Sequence, residues 1–335
     1  NRMNGEGRQI TVRGLGGDFN RIRINGMEAQ NTSGGTDASG GSNRGRSFDF
    51  NTFASELFSG ITVRKTASAS VEEGAVGATL DLRTARPFDY DNDGLTLATS
   101  VQTGYNDLAE EWNPRFAGLV SHRTDTFGAL LSLAYSDRTI LEEGFSTVRW
   151  QDGNFRSVDG VDCVANPTAP ECTAIDTNSL VYHPRIPRYG RLTHSQQRLG
   201  VTGALQFRPS DETEIVVNGL WSEFDAERDE EFLEVFFRSQ EGRIDVTSPT
   251  INSSRNIVDS GTFTIDPVGN GTHPVRSEHR FDELNTTFSQ FTVNLTHDFS
   301  DRLRLNAIAG TSKSEQDVPK QTTILFDAVD QVVGY

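Results

Sequence analysis

No run in this chain approaches the roughly 18 to 20 apolar residues that a membrane-crossing helix needs. The longest apolar cluster is Ala129-Leu130-Leu131, with Leu133-Ala134-Tyr135 close behind. Apolar residues make up 35% of the 335 residues, too few for one large globular core. Basic residues are also scarce: 31 Lys and Arg stand against 47 Asp and Glu, a formal net charge of -16. That balance argues against nucleic acid as a partner, because binding phosphates requires an excess of Lys and Arg. The two cysteines, Cys163 and Cys172, lie in a polar, Pro-rich stretch without a nearby histidine. The expected reading is a local disulfide in an oxidising compartment, against two idle thiols or half a metal site. The six histidines are scattered, and no nucleophile elbow, phosphate-binding Gly loop, paired-His helix or CxxC motif is present. The expectation is a chain that is not an enzyme and that takes no cofactor or metal.

A helical membrane protein is thus excluded, whereas a β-barrel is not, since barrel strands are apolar only at alternate positions. From Gly94 onward that alternation is explicit. Leu95, Leu97, Thr99 and Val101 alternate with Thr96, Ala98, Ser100 and Gln102, and Phe127, Ala129, Leu131, Leu133 and Tyr135 repeat the pattern. Leu199, Val201, Leu205 and Phe207 follow it, as do Phe291, Val293, Leu295 and Phe299, and then Leu303, Leu305, Ala307 and Ala309. Seven strands are expected, at about 94–105, 113–123, 126–138, 189–208, 213–225, 281–299 and 303–315.

Turn lengths separate a barrel wall from a half-buried soluble sheet. Arg123-Thr124-Asp125, Pro209-Ser210-Asp211 and Ser300-Asp301-Arg302 are tight polar turns, whereas the connections at about 139–188 and 226–280 are long and rich in Pro, Asn and Ser. Short turns at one end and long loops at the other describe the periplasmic and extracellular ends of an outer-membrane barrel. Phe127, Phe207 and Phe299 each sit beside a short turn, where an interfacial aromatic girdle belongs. Seven strands do not close a barrel, since single-chain bacterial barrels use even numbers and those with a filled lumen have about 22, so the last strand is expected to present an open edge.

The first 88 residues read differently. Ile10 and Val12 alternate with polar neighbours, Arg21-Ile22-Arg23-Ile24 does the same, and Asn25-Gly26 then suits a type I′ hairpin turn. Residues 30–47 are almost wholly polar, and Phe48 to Phe58 reads as a short helix leading into a strand at Gly60 to Lys65. Val71 to Thr84 is Gly-rich strand material, followed by an acidic link at 89–93. Asp89 to Gly94 fits the first half of a calcium loop, but its twelfth position is Ser100 rather than Glu, and no helices flank it.

Four stretches, in order and spacing, resemble the plug domain of TonB-dependent outer-membrane receptors: Ile10-Thr11-Val12-Arg13-Gly14-Leu15, Ile24-Asn25-Gly26, Ser55 to Lys65 and Gly74 to Pro87. The Ser55-Glu56-Leu57-Phe58 form and the Glu73 to Gly77 ending look most like the subgroup common in Caulobacter- and Xanthomonas-type bacteria, which is associated with carbohydrate uptake. The resemblance implies an all-β membrane protein with a small α+β plug. The plug occupies 1–88, lacking the family's signal peptide, TonB box and first plug strand, and the beginning of an antiparallel transmembrane barrel occupies 94–335. It further implies the bacterial outer membrane as location, and lipid, TonB with its inner-membrane energising complex, and a small solute as partners.

The implied activity is active uptake of a carbohydrate, with a ferric siderophore as the alternative. A passive porin-like channel leaves residues 8–87 without a role, and a secreted β-rich binding protein leaves the alternation of long and short connections unexplained. Expected ligand residues are Thr36, Asp37, Asn43, Arg44 and Arg46 of the plug loop, with Trp150 and Tyr182 from the first long connection. Sugars favour hydroxyl-binding polar groups beside an aromatic face. Arg13, Arg83 and Arg86 are the expected charges that restrain the plug against wall carboxylates.

Overall fold

The computed structural model describes residues 2–3, 6–31, 47–66, 73–91, 93–265 and 274–328. Near the N-terminus is a four-stranded sheet made of β1 (Asn20–Ile24), β2 (Met27–Glu28), β3 (Phe58–Arg64) and β4 (Ala78–Thr84), in the order β2-β1-β4-β3. β1 runs parallel to β4, from Asn20 opposite Ala78 to Ile24 opposite Leu82, and β3 is antiparallel to β4. The β1–β2 hairpin turns through Asn25 at φ 52° and Gly26 at φ 89°, the left-handed pair that the Asn-Gly dipeptide supplies at low cost. Asn25 does more than turn the chain. Its buried amide donates from Nδ2 to Thr84 Oγ1 at 3.1 Å, and its Oδ1 accepts the Thr84 N–H at 3.1 Å, tying the hairpin tip to β4.

Two local expectations need correction. Residues 9–13 are not a strand: Arg13 at φ 55° and Gly14 at φ 77° fold Val12 back onto Leu15, with reciprocal main-chain hydrogen bonds of 3.1 and 3.0 Å. Phe48 to Phe58 is not one helix but two single 3₁₀ turns, Phe50–Thr52 and Ser55–Leu57, separated by extended Phe53 and Ala54. The side chain of Asp49 caps the first turn by accepting the Asn51 N–H at 2.8 Å, which favours a short turn over continued helix.

Seven long strands follow, β5 (Gly94–Asn106), β6 (Glu111–Arg123), β7 (Phe127–Thr147), β8 (Pro187–Ser210), β9 (Thr213–Val235), β10 (Val275–Ser300) and β11 (Leu303–Ala328). They form one sheet in chain order. The expected count and order are therefore found, but several strands are longer at the ends that meet the long connections. In β9 the reason is visible: beyond Trp221 the exposed positions become Asp225, Glu227, Glu231 and Leu233, while the buried positions mix Phe224 and Phe232 with Arg228, Glu230 and Glu234. Exposure still alternates along the strand, but neither face is uniformly apolar, so the apolar periodicity ends there.

The residues divide into two compact units: 1–140, 194–228 and 282–321 in the first, and 141–193, 229–281 and 322–335 in the second. In the first unit the wall has an apolar outside. Leu95, Leu97, Val101, Phe116, Leu131, Leu205 and Phe291 are exposed, as are the three girdle residues Phe127, Phe207 and Phe299. The opposite face carries buried Ser121, Ser132, Thr202, Gln206, Asn218 and Thr292. Ser132 and Thr202 share a hydrogen bond of 3.0 Å, and Asn218 donates to Thr292 Oγ1 at 3.2 Å. Leaving a Leu or Phe in water forgoes about 1.5–3 kcal/mol each, so an outward apolar band over a polar inner face is the pattern of a wall set in hydrocarbon.

The plug packs on that inner face. Ile22, Ile24, Leu57, Leu80, Leu82, Phe48 and Phe53 form one core with Ala134, Leu220 and Phe288 of the wall. Phe53 stacks on Phe48 at 5.6 Å and meets Phe288 edge-on at 5.0 Å.

The second unit has its own fold, although composition marked its sequence as loop. Ser157–Val158, Val161–Asp162, Ile244–Asn252 and Ile257–Ile265 make a four-stranded sheet, with residues 157–158 parallel to 245–246. Phe155, Val158, Ile175, Val181, Phe237, Ile244, Val246, Val258, Phe263 and Ile265 fill its core. Cys163 and Cys172 are joined in a disulfide, as expected.

Candidate functional site: the plug turn and the arginines of the wall

The plug segment 47–58 is held from two directions. From within the plug, Arg8 donates from Nε to Asp49 Oδ2 at 2.7 Å, and Asn31 Nδ2 donates to the Asp49 carbonyl at 2.7 Å and to Thr52 Oγ1 at 2.8 Å. From the wall, Arg198 on β8 donates through Nε to the Asn51 carbonyl and through Nη2 to Asn51 Oδ1 at 2.6 Å. Ser222 on β9 donates to the Thr52 carbonyl at 2.8 Å, and Ser314 on β11 donates to Asn31 Oδ1 at 3.0 Å. Arg115 on β6 pairs with Glu56 at 2.8 Å, and Gln206 on β8 accepts the Phe88 N–H at 3.0 Å.

Shape complements these contacts. A Cβ on wall Gly200 would lie 2.4 Å from Leu57 Cδ1, one on Gly128 2.3 Å from Pro87 Cβ, and one on Gly310 2.9 Å from Met27 Sδ. Each of these wall glycines is a dent that receives a plug side chain, consistent with close approach as the use of glycine in a strand.

Between the 50–61 segment and the wall lies a cavity of about 660 Å³. Phe50, Phe53 and Phe58 contribute its apolar side, and Arg115, Arg138 and Arg198 project into it from the wall. An adjoining hollow of about 350 Å³ shares those three arginines and adds Gln102, Asn113 and Ser136.

The expected site residues are distributed differently. Thr36, Asp37, Asn43, Arg44 and Arg46 lie outside the described residues. Trp150 and Tyr182 are both in the second unit: Trp150, 46% exposed, is opposite Pro184 in a two-residue pairing, and half-buried Tyr182 exchanges main-chain hydrogen bonds with Asn256 and Val258. Arg13 is exposed, and Arg83 pairs with Asp89 at 3.1 Å within residues 83–89. Arg86 is half-buried. Burial, then the charge of Arg83, lowers its pKa from the usual guanidinium value, while Glu214 on β9 opposes that shift. Of the three expected restraint residues, Arg86 is thus the one with a wall carboxylate in its field.

The prominent plug-to-wall charge contacts run the other way, from wall arginines to plug acceptors. Arg115, Arg138 and Arg198 were legible only as charged residues interrupting a strand. Their signal is parity: each occupies a position on the polar side of a strand whose other side is apolar.

Residues 1–79 match the family described as the TonB-dependent Receptor Plug Domain. No curated protein matches the chain. Among solved structures it is similar to the siderophore receptor PirA of Acinetobacter baumannii, at 11% identity and a TM-score of 0.32, over 96% of this chain and 50% of that one. Similar values hold for the ferric enterobactin receptor PfeA of Pseudomonas aeruginosa (11% identity, TM-score 0.32, 96% of this chain and 51% of that one). The FrpB iron transporter of Neisseria meningitidis also matches (12% identity, TM-score 0.29, 96% and 56%). The chain spans about half the length of the solved structures it matches. Residues 1–79 thus carry a plug domain of the TonB-dependent receptor type, and an antiparallel sheet of seven long strands follows it in the chain.

Proposed function

We propose that this receptor takes up a scarce solute, a carbohydrate, across the outer membrane by active transport driven through TonB and its inner-membrane energising complex. The observation that carries the reading is how the plug is seated. Its 49–56 segment is held to the wall by a few separable polar contacts, Arg198 to Asn51, Ser222 to Thr52 and Arg115 to Glu56. A neutral hydrogen bond contributes about 0.5–1.5 kcal/mol net and one to a charged group about 1.5–3 kcal/mol, so the seat is firm at rest and can be released stepwise under load. A passive channel has no use for such an arrangement. The carbohydrate reading is supported by the Ser55 to Phe58 form and by the phenyl rings beside polar donors in the cavity. The alternative is a ferric siderophore.

Accumulation of labelled solute by cells carrying the receptor tests the proposal. Uptake should collapse when the proton gradient is dissipated; undiminished uptake rejects active transport. Growth of a deletion strain on single oligosaccharides and on iron-chelate media separates the two substrate readings.

A further inference from the structure

We infer that the plug has one releasable end and one fixed end, and that Phe88, held against the wall, is the pivot about which it moves. The inference deepens the transport reading, on which it rests for its biological meaning, by naming the part of the plug that stays on the wall.

The chemistry at the two ends differs. At 49–56 the contacts to the wall are hydrogen bonds and an ion pair, each to a different wall residue, and water satisfies such groups once they part. At 87–88 the plug is held by shape and by a ring. Pro87 is buried, and a Cβ on Gly128 of β7 would lie 2.3 Å from its Cβ, so the proline fills a socket that only a glycine leaves open. The guanidinium groups of Arg123 on β6 and Arg208 on β8 lie over the Phe88 ring, at 5.3 and 4.6 Å from its centroid. Both distances are within reach of cation–π attraction.

The gripping groups are themselves held. Arg123 pairs with Asp93 at 2.7 Å, and Arg208 pairs with Glu214 on β9. Asp93 follows Phe88 in the same segment, so that segment holds Arg123 twice, once by a ring and once by a carboxylate. Gln206 on β8, 2% exposed, closes the set: its Oε1 accepts the Phe88 N–H at 3.0 Å and its Nε2 donates to Glu214 at 2.8 Å. Within the segment, the Arg86 N–H donates to Asp89 at 2.9 Å and Arg83 pairs with Asp89 at 3.1 Å, which fixes the turn that presents Phe88. All of these groups belong to the first compact unit. A linked set yields only when several contacts break together, whereas separate contacts yield one at a time.

Amide exchange of the detergent-solubilised receptor through a urea series measures the order of release. Protection at Phe88 and Asp89 should outlast that at Asn51 and Phe53, with exchange about tenfold slower at urea concentrations that expose the latter pair. Arg123→Gln and Arg208→Gln should each lower protection at Phe88 and Asp89 about threefold to tenfold and leave Asn51 unchanged. Phe88→Leu keeps apolar bulk but loses the aromatic face, and it should lower protection at Asp89 similarly, whereas Phe88→Tyr should retain it. Heat-modifiable migration on gels checks that the wall remains folded in each variant.

Loss of protection at Phe88 and Asp89 at or below the urea concentration that exposes Asn51 overturns the inference, as does native protection at Asp89 in Phe88→Leu or in both arginine variants. Uptake that survives dissipation of the proton gradient would reject active transport and leave the order of release standing. Simultaneous release of both ends in urea would reject the pivot and leave energised uptake standing.

Discussion

Arg198 of the wall, 6% exposed, holds Asn51 of the plug through both the main-chain carbonyl and the side-chain Oδ1, the latter at 2.6 Å. Asn51 follows Asp49 in the 3₁₀ turn, and Asp49 is the residue clasped by Arg8. The N-terminal segment, the capped turn and the wall are therefore joined in one line of contacts. Arg198→Gln shortens the side chain and removes its charge, leaving buried acceptors on Asn51 without their donor. We expect the turn to lose about 1.5–3 kcal/mol of local stability. Amide-exchange protection at Asn51 and Phe53 should fall about tenfold to a hundredfold, with the wall strands unaffected. Unchanged protection at those two amides would show that Arg198 does not hold the turn.

The pairing of Leu57 with Gly200 makes a different prediction. Leu57 is 1% exposed, and a Cβ on Gly200 would lie 2.4 Å from its Cδ1 and 3.2 Å from its Cγ. Gly200→Ala should destabilise the seated plug by about 1–3 kcal/mol through overpacking. Leu57→Ala alone should cost about 2–5 kcal/mol through the cavity it leaves. In the double variant the new methyl group enters space that Leu57 vacated, so the combined loss should be smaller than the sum of the two single losses. Additive losses, measured by urea unfolding of the plug, would mean that the two residues do not touch.

How far these features could be read from the sequence depends on which physical signal each one left. The wall strands announced themselves through Leu, Val and Phe at alternate positions, because lipid demands apolar side chains there, and Asn25-Gly26 announced its turn because few other pairs accept two positive φ angles. The extensions of β7 to Thr147 and of β9 to Val235 left no such trace, since Glu142 and Glu143 in the one and Asp225, Glu227 and Glu231 in the other interrupt the apolar alternation. The second unit was missed for another reason. Its core residues come from two connections far apart in sequence, Phe155 and Val158 from one and Ile244, Val246 and Phe263 from the other, each surrounded by polar neighbours. Neither connection alone contains enough apolar surface to predict a fold. The candidate site was obscured similarly, because Arg115, Arg138 and Arg198 come from three different strands and meet only when the register is known.

The disulfide offers a test of that second unit. Cys163 and Cys172 are separated by 9 positions, and Cys172 lies within the helical turn Pro170–Thr173, just before the core residue Ile175. Closing a loop of this size is worth about 2–3 kcal/mol in the chain-entropy account. The double variant Cys163→Ser, Cys172→Ser, or reduction of the native protein, should therefore lower protection at Val158 and Ile175 while leaving the plug turn at 49–53 as it was. Equal protection in the oxidised and reduced proteins would mean that the core of this unit does not depend on the cross-link.

His183 gives the same unit a pH dependence whose sign can be worked out. The residue is 1% exposed, its Nδ1 lies 2.9 Å from the Pro184 carbonyl, and its ring sits among Phe155 at 4.9 Å, Phe237 at 6.2 Å and Phe263 at 6.5 Å. With Nδ1–H donating to that carbonyl, Nε2 carries the lone pair, and it has no partner among the described residues. Burial lowers the pKa from its ordinary 6.5, against smaller opposing effects of the Pro184 carbonyl and Asp152. The folded unit thus binds a proton less readily than the unfolded chain. Its stability is complete above about pH 6.5 and declines as the pH falls below that value toward the folded pKa, by up to about 1.4 kcal/mol per pH unit for one proton. Protection at Val246 and Phe263, corrected for intrinsic exchange, should therefore fall between about pH 7 and pH 5. In His183→Gln, which keeps a polar group of similar reach but cannot take up the proton, the baseline is lower and that slope should vanish. A slope that survives in the variant would assign the acid sensitivity to another group.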